Sequence, residues 1–146
     1  MRNLHGIISI VFYFAAFGIG FISILQVSQI LSVIYLLVII AFTLIISLTY
    51  CRKCSVRNNC IHHIFGKISE TLSKPNPKEY NFWDFIAVAV PTAAVIIFPQ
   101  FWLIDNIVFL LFFWLFTVIA GLEVWFFVCN KCLNKKCAMC RNKVEF

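Results

Sequence analysis

Hydrophobic positions along this chain fall in long unbroken blocks, not in the alternation of a half-buried strand or the single stripe of a soluble helix. Residues 7–25, 30–50, 85–103 and 107–128 each approach the roughly 20 apolar residues that carry an α-helix across a hydrocarbon core about 30 Å thick. The third block is the weakest. Pro91 near its middle and Pro99 near its end remove backbone donors, so a kink is expected, with neighbouring helices satisfying the freed carbonyls. Short connections, "QVSQ" at 26–29 and "PQFWLIDN" at 99–106, pair the blocks into two hairpins. The first block is long and no small-residue cleavage site precedes the second, so it reads as a retained helix and not as a removable signal.

The segment between the hairpins has a different pattern. In "CIHHIFGKISETLSK" the apolar residues Ile61, Ile64, Phe65, Ile68 and Leu72 recur at helical spacing, with Lys67, Glu70 and Lys74 elsewhere. This predicts a short amphipathic helix lying in the membrane interface, although Gly66 weakens it. "KPNPKEYN" then breaks the helix, and Asn81 with Asp84 three residues later has the spacing of a cap opening the third span. The expected fold is an all-α membrane protein of four transmembrane helices, arranged as a first hairpin unit (1–80) and a second (81–146).

Composition agrees with that class. Of 146 residues, 62% are hydrophobic and 12% charged, more apolar surface than a soluble domain of this size could hide. Charge adds orientation. Arg2 precedes the first span; Arg52, Lys53, Arg57, Lys67, Lys74 and Lys78 lie between the second and third; Lys131, Lys135, Lys136, Arg141 and Lys143 follow the fourth. The two tight connections hold no Lys or Arg, so the positive-inside rule predicts both termini and the central loop on the cytoplasmic side. The net charge of +6 then belongs to one face. That face suits anionic lipid headgroups or a protein partner better than nucleic acid, because no aromatic-interleaved basic module accompanies it.

Candidate chemistry sits on the same face. The second span ends in Cys51-x2-Cys54-x5-Cys60-x2-His63, and the fourth in Cys129-x2-Cys132-x4-Cys137-x2-Cys140. Each hairpin closes with three cysteines and a fourth ligand, which suggests a duplicated unit. Two cysteines separated by two residues can turn both sulfurs toward one point, and two such knuckles make a tetrahedral cage of the kind zinc prefers. The predicted ligands are therefore Cys51, Cys54, Cys60 and His63, and Cys129, Cys132, Cys137 and Cys140. They form two centres, or one if the hairpins exchange ligands. Gaps of five and four residues between knuckles are shorter than in most zinc ribbons. Ferredoxin spacing, with its proline after the last cysteine, is absent too. Zinc leads, with iron–sulfur as the alternative cofactor. The neighbouring lysines and arginines would offset the thiolate charge and lower the thiol pKa values. Palmitoylation accounts for one or two cysteines but not for seven in repeated pairs, and cytoplasmic placement disfavours disulfides.

The expected function is structural or partner-docking metal binding at the membrane. Electron transfer by an iron–sulfur or rubredoxin-like centre is the first alternative, and thiol redox or soft-metal handling the second. An enzyme is disfavoured, since four protein ligands leave no position for a catalytic water and no Ser/His/Asp set or phosphate loop is present. Four-helix membrane thiol oxidoreductases bear a superficial likeness, but their working cysteines face outward. Glu123 is expected to reach the interface or to pair with a basic residue. His5 reads as an interfacial residue, and Tyr50, Tyr80, Trp83 and Trp125 as an aromatic belt. Ala16 with Gly20, and Ala89 with Ala93, are small pairs expected in ordinary helix packing.

Overall fold

A computed structural model describes residues 2–54, 63–76 and 78–130 of the chain. All regular structure among them is helical: α1 (Arg2–Leu25), α2 (Gln29–Thr49), a 3₁₀ turn (Cys51–Lys53), α3 (His63–Leu72), α4 (Phe82–Ile97), α5 (Gln100–Leu103), α6 (Ile107–Leu122) and a π-helical turn (Glu123–Val128). Four segments, Leu4–Leu25, Gln29–Lys53, Phe82–Leu103 and Ile107–Val128, are long and apolar enough to cross a membrane.

Polar residues set the helix starts. Ser28 accepts a hydrogen bond from the Leu31 N–H at the start of α2, and Asn106 does the same for Phe109 at the start of α6. Asn81 and Asp84 form a full capping box. The Asn81 side chain accepts from the Asp84 N–H at 3.1 Å, and the Asp84 carboxylate accepts from the Asn81 N–H at 2.8 Å. Two donors that the first turn would otherwise leave without partners are satisfied in this way.

The two prolines act differently from each other. Helix α4 continues through Pro91, and the helical run ends instead at Ile97, with Pro99 capping the short α5. Without an N–H at position 99, the Val95 carbonyl loses the donor a continuous helix would supply. Tyr35 replaces it, its hydroxyl donating to the Val95 oxygen at 3.1 Å from α2, with both side chains buried. The Tyr35 ring stacks on Phe98, with centroids 5.7 Å apart and planes within 5°. Gly20 on α1 faces this junction; a Cβ there would lie 3.1 Å from both the Tyr35 hydroxyl and the Pro99 Cβ. Glycine suits that point because a Cβ would press on the group that satisfies Val95, which would have to give by a few tenths of an ångström.

Helix α1 packs against α2 and α6, and α2 packs against α4. Two buried clusters, Ile24–Tyr35–Val95 and Ala16–Leu103–Phe113, fill the half of the bundle near the two tight connections. Elsewhere large apolar side chains point outward, among them Ile30, Phe101, Leu111 and Trp83. On a water-soluble surface such a belt would drive association; around four spanning helices it is what lipid requires. Ala16 and Gly20 pack as expected. Ala89 and Ala93 do not, for both are exposed on the outer face of α4.

Candidate functional site

The start of α1, the end of α2, the start of α4 and the end of α6 share one end of the bundle. Two pairs of ionisable side chains join them there. Lys53, in the turn after α2, donates to the Asp84 carboxylate at 2.5 Å, with both side chains mostly buried. Asp84 is therefore both a helix cap and the anchor of the loop cation. His5 near the start of α1 meets Glu123 after α6, its Nδ1 lying 2.9 Å from Oε2. The His5 ring also stacks on Phe127, with centroids 4.5 Å apart and planes within 8°.

Glu123 pairs with a basic residue, as its position suggested, but the partner comes from the other hairpin. Sequence separation hid it: 118 residues lie between the two side chains. The antiparallel packing of α1 and α6 was the available signal, since it brings the first residues of one helix beside the last of the other. At Glu123 the chain passes from α-helix into a π turn, which closes when the Cys129 N–H reaches the Val124 carbonyl at 2.8 Å. π turns insert a residue into the helical register and often accompany functional sites. This one delivers the chain directly to Cys129.

Cys51 opens the 3₁₀ turn that ends α2, and Cys54 caps it in an extended conformation, its N–H donating to the Cys51 carbonyl at 3.1 Å. Both cysteines are half-buried. The turn is fixed on several sides. Arg52 donates from Nε to the Lys74 carbonyl at 3.2 Å, and the Asn76 N–H donates to the Arg52 carbonyl at 3.1 Å. The Tyr80 hydroxyl donates to the Tyr50 carbonyl at 3.3 Å, with the two rings 4.5 Å apart.

Of the eight predicted ligands, Cys51, Cys54 and Cys129 are therefore placed, all at the end of the bundle that carries the loop cations. Cys60, Cys132, Cys137, Cys140 and the side chain of His63 lie outside the described residues. Among the described residues no three His, Cys, Asp or Glu side chains converge on a point suited to a metal ion. The turn holding Cys51 and Cys54 packs with α2 and α3, whereas the π turn leading to Cys129 packs with α1 and α6. No protein-family model, curated protein or solved structure matches the chain.

Proposed function

We propose that this chain is an integral membrane protein, with its basic end in the cytoplasm, that holds one or two metal ions in its cysteine-rich ends and serves a structural or partner-docking role there. Zinc is the favoured ion. The observation that carries the reading is the repeated ligand spacing, Cys51-x2-Cys54-x5-Cys60-x2-His63 and Cys129-x2-Cys132-x4-Cys137-x2-Cys140, each beginning where a hairpin's second helix ends. Support comes from the hydrogen-bonded turn that links Cys51 to Cys54 at the end of α2, and from their sharing an end of the bundle with Cys129. The separate packing of the two turns favours two centres over one shared between hairpins.

A platform of this kind needs few moving parts. Arg52, Lys53, Arg57, Lys131, Lys135 and Lys136 are close in sequence to the cysteines, and positive charge near a thiol favours the thiolate that binds metal. Four protein ligands would close each centre, so the ion rigidifies the end of the bundle without activating water. The test is metal content in Cys54→Ser and Cys132→Ser, each measured beside membrane insertion and helicity. Each variant is expected to lose about one equivalent of metal while still inserting. Unchanged metal content in both would remove those residues from the ligand set, and labelling of the cysteines by an impermeant thiol reagent from outside intact cells would overturn the orientation.

A further inference from the structure

Helix α3 is 10 residues long and divides its surface three ways. At about 100° per residue, Gly66, Ser69 and Ser73 share one sector, Ile64, Ile68 and Leu72 a second, and Lys67, Glu70 and Lys74 a third. The first sector faces the protein. Gly66 and Ser69 are buried, and α3 packs against α2, the Cys51–Lys53 turn and α1. The sequence pattern points to the apolar stripe as the face toward the membrane interface, and small residues make the protein contact. Among the described residues nothing covers the stripe. Ile64 is 43% and Leu72 54% exposed, and a shallow depression of about 480 Å³ over this face is lined by Ile64, Lys67, Ile68, Thr71 and Leu72, all from α3 itself.

We propose that the bilayer covers it. In this arrangement α3 lies in the surface of the leaflet at the basic end, with Ile64, Ile68 and Leu72 at the boundary of headgroups and acyl chains. Lys67 and Lys74 then reach anionic headgroups. Two observations select lipid over another protein. The stripe lies beside the end of a spanning segment, since α3 packs against α2 and against the Cys51–Lys53 turn that closes the span Gln29–Lys53. The three sectors also fit the three surroundings of a helix on a membrane beside a spanning bundle: protein on one flank, lipid below, and water with headgroups on the other. Among the described residues the cations Arg52, Lys53, Lys67, Lys74 and Lys78 lie at this end, which complements an anionic leaflet.

The consequence reaches the cysteines. The Arg52–Lys74 and Asn76–Arg52 hydrogen bonds tie the segment following α3 to the turn holding Cys51 and Cys54, so seating α3 fixes that turn at headgroup depth. The proposal rests on membrane insertion and not on metal binding, and its readout is independent of metal content.

Photo-crosslinking of the full chain in lipid nanodiscs tests it. Leu72→p-benzoylphenylalanine and Ile64→p-benzoylphenylalanine are expected to yield lipid adducts at least several-fold above Glu70→p-benzoylphenylalanine. With Lys67→Glu added, the adduct at position 72 should fall at least twofold in phosphatidylglycerol discs and stay unchanged in phosphatidylcholine. Equal adduct yields at positions 64, 70 and 72, or capture of a second copy of the chain at position 72, would overturn the seating. Indifference of the adduct to Lys67→Glu in both lipids would overturn the anionic contact. Circular dichroism of each variant verifies that the helices are intact.

Discussion

Tyr35→Phe deletes one oxygen atom, and the structure specifies what that atom does. Pro99 has no N–H, so the Val95 carbonyl is left without a helical donor, and the Tyr35 hydroxyl supplies one at 3.1 Å. Val95 is 1% and Tyr35 0% exposed, so water cannot replace the lost group without opening the cluster. Leaving a buried acceptor unsatisfied costs about 1–3 kcal/mol in soluble proteins. Interhelical hydrogen bonds in membranes average about 0.6 and reach about 1.7 kcal/mol. An expected loss of about 1 kcal/mol follows, roughly a fivefold shift toward the unfolded state. The assay is reversible unfolding in mixed micelles, followed by helicity. A double-mutant cycle isolates the cause, because Pro99→Ala restores an N–H that can serve Val95 from within the helix. Tyr35→Phe should then cost much less in the Pro99→Ala background than in the native chain. An equal cost in both backgrounds would refute the link between the hydroxyl and the proline.

Three further outcomes can be checked by the same unfolding assay. Gly20→Ala places a methyl group 3.1 Å from the Tyr35 hydroxyl and Pro99, and should cost about 1–2 kcal/mol, with part of that cost lost once Tyr35 is already Phe. Glu123→Ala and His5→Ala should show a coupling of roughly 0.6–2 kcal/mol in a double-mutant cycle, while strictly additive effects would mean the 2.9 Å contact contributes nothing. Lys53→Met removes the cation from a mostly buried carboxylate and should cost roughly 1.5–3 kcal/mol, more than Asp84→Asn, which keeps an oxygen over the Asn81 N–H.

The features legible from sequence were those set by neighbours along the chain. Apolar runs marked all four long helices, within a few residues of where they lie; α1 begins five residues and α4 three residues before the predicted spans. Asn81 and Asp84 announced their capping box because both partners sit within one turn. The amphipathic segment announced α3, but not which flank would touch protein, since Gly66 there marks close packing and not weakness. Contacts between distant elements were not legible. Tyr35–Val95, Lys53–Asp84 and His5–Glu123 depend on how each helix is rotated and how far it slides along its neighbour, and a uniformly apolar helix carries little pattern from which to read rotation. The same ambiguity explains Ala89 and Ala93, whose spacing suits close packing although α4 turns them outward. Of the two prolines, Pro91 lies within α4 and Pro99 just beyond its end, a difference that the sequence pattern does not carry.

The ligand sets themselves are a statement of spacing, to which the structure adds that Cys51, Cys54 and Cys129 lie at one end of the bundle. The measurement that bears on them most directly is the metal content of the intact chain, purified under thiol-protecting, chelator-free conditions and weighed by native mass spectrometry. About two zinc ions per chain, or one if the hairpins share a centre, is the predicted result. Iron with visible absorbance would move the function to electron transfer, and freely exchanging metal to soft-metal handling. A chain that folds fully and carries no metal would contradict the account.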